Sequence, residues 1–452
     1  MKHSQIFTIL ITLLCTVSSA QTYTLHDCIN IALENNIEVK NAGLDVEAAY
    51  AVKRQAFSNY FPKVNVTAGG YYAFKPLLTY GIDDVKDAQS RQLLYNLYSE
   101  YGRNYGLPDH LSLFENGVMV AASATQPVFA GGRIVNSNRL ASIGVSASEL
   151  QQDIALTKTI EQVEELFWLI HSLNEKTAVL RQAQGFLDTL RHDVSAAVEN
   201  GLTTKNNELK VKIKQSEIKS SISKVNNSLL LAKQALCQAI GIEYTDEIIF
   251  SDTIPAIDNE PHRPDNLQGI VQGRTESQLL DLGVNAEILK KRLIVGEALP
   301  QLLVGLAGSY GNPVFDKFRA NGLVFASLNI PITDWIGTSH KIKQQELIIA
   351  KAENRRTDLV RKMQLETVQS WNNVEEARHQ LEIADNIVAE AEENLRSSIV
   401  NHQAGLTTVA DLLEAQTICI EAKDRRADAT IDLVVKTGKY KRLTKGRDNI
   451  LN

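Results

Sequence analysis

The 452-residue sequence predicts an α+β membrane protein in which long coiled-coil helices carry a β-barrel that one chain cannot complete. Three observations predict it: an export leader, a tandem duplication whose halves carry both very long helices and alternating strands, and a strand count too small to close a barrel.

Lys2 and His3 precede the apolar run Ile6 to Cys15, and Ser18-Ser19-Ala20 places small residues before Gln21, so residues 1–20 read as a signal peptide. The run is too short to cross a hydrocarbon core, which needs about 20 apolar residues. Cys15 is a poor acylation site because bulky Leu14 precedes it. Composition narrows the remaining classes. With 44% hydrophobic and 22% charged residues and 10 Pro, the chain is neither disordered nor collagen-like nor a polytopic helical membrane protein. Four scattered Cys make neither a disulfide scaffold nor a zinc site. A net charge of −6 argues against nucleic acid as a partner.

The duplication has a spacing. Gly201-Leu202-Thr203-Thr204 recurs at Gly405 to Thr408 with an offset of 204, and Pro127 and Pro331 are separated by the same offset. The halves are expected at 21–242 and 276–452, with 243–275 as the link between them. Each reads as helix, strand, loop, strand, long helix, turn, helix. The opening helix is placed at about Leu25 to Tyr60 and its counterpart at about Ser277 to Ala298, each stopping before a proline.

Four segments alternate with period two. Val64, Val66 and Ala68 oppose Lys63, Asn65 and Thr67; Val120, Ala122 and Ala124 oppose Ser123 and Thr125; Leu302, Val304 and Leu306 share a face; Val324, Ala326 and Leu328 oppose Ser327 and Asn329. Alternation alone fits both a half-buried soluble sheet and tilted strands crossing a bilayer, with Tyr71, Tyr72, Phe74 and Tyr310 at the strand ends where an aromatic girdle belongs. The long helices favour the second. From about Asn136 to Asn200, Leu166, Leu173, Leu180, Leu187 and Val194 recur every seven residues, and Val374, Leu381, Val388 and Leu395 do so in the second half. A helix of that length is about 100 Å long at 1.5 Å per residue, which no globular core requires. The return helices, about Lys205 to Ile240 and Thr408 to Tyr440, are half as long, so the opening helix is expected to stack end to end on the return helix.

Four strands cannot seal a barrel in lipid, where bare edges leave backbone groups unpaired and about eight strands is the lower limit. The barrel must be shared between copies, and an aqueous lumen favours three.

At this point the residues resemble the outer-membrane efflux protein family, the TolC-like ducts. The resemblance rests on Gln126-Pro127-Val128-Phe129-Ala130-Gly131-Gly132-Arg133, on Ile330-Pro331-Ile332-Thr333-Asp334-Trp335, and on the two Gly-Leu turns, and runs along nearly the whole mature chain. It implies a TolC-like homotrimer with a 12-stranded barrel in outer-membrane lipid, continued through the periplasm by an α-helical barrel of long antiparallel coiled-coil helices, with Ile242 to Pro264 around the tube's waist. It implies passive efflux: the exit duct of a tripartite efflux or type I secretion system, fed by an inner-membrane pump of RND or ABC type through a periplasmic adaptor, or membrane fusion protein, with no catalysis and no cofactor. Carried over by position, Gly201, Leu202, Gly405 and Leu406 form tips that meet the adaptor. Asp411 and Glu414, three residues apart, match the acidic pair at the periplasmic aperture, where crowding of carboxylates raises some of their pKa values and favours cations. Asn207 and Lys210 occupy the same places in the first half, and Lys210 is expected to pair with Glu414. The first half carries 34 extra residues between its strands, within the Tyr-rich loop 75–116, which is expected on the outer side.

No phosphate-binding loop, metal-ligating His pair or nucleophile elbow is found. The competing reading is a periplasmic coiled-coil scaffold or adaptor with a soluble sheet.

Overall fold

A computed structural model describes residues 22–108, 110–113, 116–254, 262–312 and 318–445. The leader and Cys15 lie outside the described residues, as do 255–261 of the expected link. In chain order the elements are β1 (Thr22–Tyr23), α1 (Leu25–Asn35), α2 (Ile37–Ser58), β2 (Lys63–Tyr72), β3 (Leu78–Gly81), α3 (Ala88–Leu97), β4 (His110–Leu113), β5 (Asn116–Ala130), α4 (Arg133–Glu199) and α5 (Lys205–Ile240). They continue as β6 (Ile249–Phe250), α6 (Leu267–Gly273), α7 (Thr275–Glu297), β7 (Gln301–Gly311), β8 (Arg319–Asn329), α8 (Asp334–Gln403) and α9 (Val409–Lys445). The chain divides into two compact units, and both sequence repeats contribute to each.

One unit, Ala49–Val145 with Gly283–Glu353, holds a four-stranded antiparallel sheet in the order β2-β5-β7-β8. Lys63 to Tyr72 pair with Thr125 to Asn116, and Gln301 to Gly311 pair with Asn329 to Arg319, so the two sequence hairpins join through β5 and β7 into one sheet. Every residue of β2 is exposed, on both faces, and Val324 of β8 is 86% exposed. Among the described residues the sheet ends in two edges without a partner strand, β2 and β8. The register of β5 slips between Pro127 and Phe129, because Pro127 has no N–H to give the ladder. Beyond it Gly131 sits at φ +61°, and a Cβ there would lie 2.2 Å from the Gly296 carbonyl oxygen, so only glycine allows these two backbones to touch. On the second repeat's side Trp335 Nε1 donates to the Ala298 carbonyl at 2.8 Å.

The Tyr-rich stretch is not a bare loop. It contains the β3–β4 hairpin and α3, and Tyr95 donates to Asp83 while Tyr98 donates to the Leu107 carbonyl, so two of the tyrosines hold the lobe together. Loop composition concealed this, because the strands are four residues long.

The other unit comprises the described residues of Met1–Ala48, Ser146–Leu282 and Asn354–Asn452 and is almost wholly helical. The single opening helix expected from Leu25 to Tyr60 is two helices, broken at Asn36. The Asn36 side-chain oxygen accepts from the Glu38 and Val39 amides and so caps α2, while its Nδ2 donates to the Ala239 carbonyl at 2.7 Å, where α5 ends. The joint between α1 and α2 therefore rests on the C-terminal end of the return helix. There Gly241 closes α5 at φ +76°, and a Cβ on it would press within 2.9 Å of the Asn35 carbonyl oxygen. The start of the link is not irregular either: β6 pairs in parallel with β1, Tyr23 stacks on Phe250, and both belong to a core built from Cys28, Val163, Phe167, Ile170, Leu236 and Ile240.

The seven-residue pattern of α4 is a single seam only toward its end. Leu180, Leu187 and Val194 are buried, as are Ala183 and Leu190, but Leu166 and Leu173 are half-buried, and Val163, Phe167 and Ile170 point inward in their place. A straight helix drifts by about 20° per heptad, so a strict repeat leaves the core side within a few turns. Ion pairs join α9 to its neighbours: Lys176 to Asp428 at 2.7 Å, Lys423 to Glu392 at 2.7 Å, and Arg442 to Glu161 and Glu164. Among the described residues no helix is long and apolar enough to cross a membrane.

Candidate functional site at the helical-hairpin tips

The two Gly-Leu turns close α4–α5 and α8–α9 by one backbone device. Gly201 is at φ +72° and Gly405 at φ +76°, in the left-handed region that favours glycine. Leu202 N–H donates to the Ala197 carbonyl and Gly201 N–H to that of Val198; Leu406 and Gly405 repeat this with Asn401 and His402. These are the paired bonds of a Schellman turn, which use up carbonyls left free at a helix end. The turns leave Leu202 81% and Leu406 76% exposed, as apolar knobs in solvent.

Both tips stand on one core. Leu187, Leu190 and Val194 of α4, Val211 and Ile218 of α5, and Val409, Leu412 and Ile420 of α9 are buried together, with Leu395 and Ile399 of α8 half-buried against them. Gln215 ties α5 to α4 by donating to Asp188 at 2.7 Å. An apolar groove of about 350 Å³ runs between α4, α8 and α9, lined by Phe186, Leu395, Ile399 and Cys419.

The residues just past the tips differ. Thr408 and Asp411 form a reciprocal cap: the Asp411 carboxylate accepts from the Thr408 N–H at 2.9 Å and hydroxyl at 2.8 Å, and the Asp411 N–H donates to the Thr408 hydroxyl. These bonds, the hydroxyl's first, hold the Asp411 carboxyl below its ordinary range, and the charge of Lys210 adds to the shift. Glu414 is exposed one turn on. In the first tip Asn207 is half-buried and donates to the Thr203 hydroxyl at 2.9 Å, and Thr204 makes no side-chain cap. Lys210 is exposed; it forms no ion pair with Glu414, and its charge acts on Asp411 instead. The residue that sequence reasoning missed is Glu208, buried at 5% exposure and held by Lys205 and Lys212. Hydrogen bonds from these lysines, Lys205's first, take its pKa down to about 2. Lysines three residues before and four after a glutamate were the available signal.

All eight residues singled out in the sequence thus gather at or just past the two tips of the helical unit. Three buried cysteines, Cys28, Cys237 and Cys419, are free, and no metal-ligating cluster occurs among the described residues.

Comparison with known proteins places this geometry. The profile of the outer membrane efflux protein family matches residues 28–242 and 297–435, more than half of the chain. Among solved structures the chain is similar to CusC, described in terms of transmembrane channel formation (TM-score 0.78, 13% identity, 93% of this chain and 91% of that one). It is similar to the Campylobacter jejuni CmeC outer membrane channel (TM-score 0.77, 13% identity, 93% and 85%) and to the Vibrio cholerae outer membrane protein VceC (TM-score 0.73, 13% identity, 93% and 96%). At such identities these likenesses speak for the fold alone. No curated protein matches at the level of sequence. With the family profile, duplicated hairpins, shared sheet and paired tips in agreement, the chain belongs to the outer membrane efflux protein family and is a TolC-like efflux duct of the outer membrane with its helices in the periplasm.

Proposed function

We propose that the chain works as a homotrimer whose three sheets close into one 12-stranded barrel, a passive exit through the outer membrane for substrates handed over by an inner-membrane pump and a periplasmic adaptor. The observation that carries this is the sheet with two unpaired antiparallel edges and an apolar face, Val64, Val66 and Val324, open to its surroundings. In hydrocarbon each bare backbone group costs several kcal/mol, so β8 of one copy needs β2 of the next. Three copies bring enough strands for an aqueous lumen.

In this reading the exposed Leu202 and Leu406 knobs on their glycine turns are the adaptor contacts, and Asp411, Glu414, Asn207 and Lys210 surround the periplasmic aperture. Asp411, whose cap holds its carboxyl below the ordinary range, favours cations there. The purified protein in detergent is expected to have the mass of three chains and to form channels in a planar bilayer. Asp411→Ala with Glu414→Ala is expected to change conductance and weaken cation preference. A monomeric, channel-inactive protein overturns the duct reading; unchanged conductance removes only the aperture role.

A further inference from the structure

We infer that the outward face of α5 is the seam that binds the outward face of α8 on the next copy, matched by charge as well as by shape. This rests on the ring of copies proposed above and identifies the helices that meet in it.

The four tip helices are not equivalent. α9 packs against α5 in the tip core and is ion-paired to α8 through Arg426–Asp385 and Lys423–Glu392, while α4 bonds α5 through Gln215 and lines a groove with α8. α4 and α9 also meet directly, through Lys176–Asp428 and Ser172–Asp428, whereas no ion pair or hydrogen bond joins α5 to α8 among the described residues, so α5 and α8 stand at the two ends of the set. Each of these end helices keeps a continuous exposed stripe. On α5 it runs through Leu209, Ile213, Ser216, Ser220 and Leu231, with Ile213 61% exposed and small serines at its middle, where another helix can approach closely. On α8 it runs through Ile383, Ser397 and Val400.

The charges beside the stripes are opposite. α5 carries seven lysines against two glutamates, whereas the tip half of α8, residues 370–403, carries seven acids against two arginines. On the side of α8 facing α9 the acids are already matched, by Arg426 and Lys423. The surplus lies on the outward stripes: Lys219 and Lys224 flank that of α5 and form no ion pair among the described residues, and Glu382 and Glu390 flank that of α8. Glu390 likewise forms no ion pair among the described residues, and Glu382 meets only His379 of its own helix, at 3.7 Å. Heights agree as well: Lys224 stands 23 residues past Gly201 and Glu382 23 residues before Gly405. Since both tips share one core, these two residues lie at one level, about 35 Å from the turns at 1.5 Å per residue. Apolar residues flanked by complementary charges are how paired helices choose partner and register.

The test uses the full-length chain in detergent, with oligomer mass by light scattering and chain dissociation followed on denaturant. Lys219→Glu with Lys224→Glu is expected to weaken the oligomer about tenfold, since like charges then face each other, and Glu382→Lys with Glu390→Lys to do the same. All four together are expected to restore it, with helical circular dichroism unchanged throughout. Independently, Lys224→Cys with Glu382→Cys is expected to cross-link chain to chain with a short bismaleimide. Failure of the four-fold variant to recover, or absence of the cross-link in a wild-type-like oligomer, overturns the seam while leaving the ring intact. A monomeric wild type overturns the ring itself.

Discussion

The two hairpin tips share a backbone and differ in almost everything placed on it. Each turns through a left-handed glycine, closes the same pair of hydrogen bonds and exposes one leucine. One turn later the first tip buries Glu208 between two lysines, and the second buries Leu412, 2% exposed, at the position related by the 204-residue offset. The first tip leaves Thr204 without a cap bond where the second makes the reciprocal Thr408–Asp411 cap. A reversal of this kind is fixed by backbone geometry, so side chains around it are free to diverge: on one shared apolar core the first tip adds ion pairs at Glu208, and the second adds Leu412 and a helix cap.

The largest effect that checks this comparison is at Leu412, in the core that both tips share. Leu412→Ala is expected to cost about 2–5 kcal/mol, the range for a buried leucine truncated in place, read by denaturant unfolding. Glu208→Leu, which gives the first tip the second's residue, is expected to be tolerated, because Lys205 and Lys212, which lose their partner, are themselves exposed and stay solvated. A loss as large as that of Leu412→Ala would show that the first tip depends on the ion pairs of Glu208.

Gly201→Ala and Gly405→Ala come next. Nothing lies within 4 Å of either absent Cβ, so only the left-handed backbone resists, and each is expected to cost about 1–2 kcal/mol. Equal losses in thermal unfolding support a shared turn, and unequal ones break it. Thr408→Ala is expected to cost about 1 kcal/mol and Thr204→Ala close to nothing, since only Thr408 caps its helix.

The smallest effect is local and depends on pH. The folded pKa of Glu208 lies below its ordinary 4.5, so the support it gives is complete above that value and is lost as pH falls toward about 2. Amide exchange around residues 205–212 is expected to speed up across that window, and Glu208→Gln to remove the dependence. Asp411, also shifted downward, is expected to loosen the start of α9 on acidification in the same sense.

Much of the fold was legible because glycine and proline punctuate it. Gly201 and Gly241 bracket α5 at the residues read from sequence, Pro331 stands just past the end of β8, and alternation located β2, β5, β7 and β8, although β5 runs on through Pro127 to Ala130. What escaped depends on partners far along the chain. The break at Asn36 is set by a bond to Ala239, 203 positions away, and β1 and β6 are two residues each and exist only as a pair. Glu208 escaped because a buried glutamate and a solvated one have the same local sequence pattern. The expected Lys210–Glu414 pair assumed that neighbouring charges meet, whereas in the folded chain Asp411 is bonded to Thr408 and feels Lys210 only as a nearby charge.

The bare edges of the four-stranded sheet also bear on the protein's life before it reaches its membrane. A newly exported copy crosses water with two strands ready to accept any extended peptide, its own kind in the wrong order included. Lys63 opens one of these strands and Arg319 the other, and a charge at each margin disfavours stray pairing without preventing the intended one. If the sheet closes with neighbouring copies as proposed, safe delivery depends on keeping unassembled copies scarce until lipid and the right neighbours are at hand.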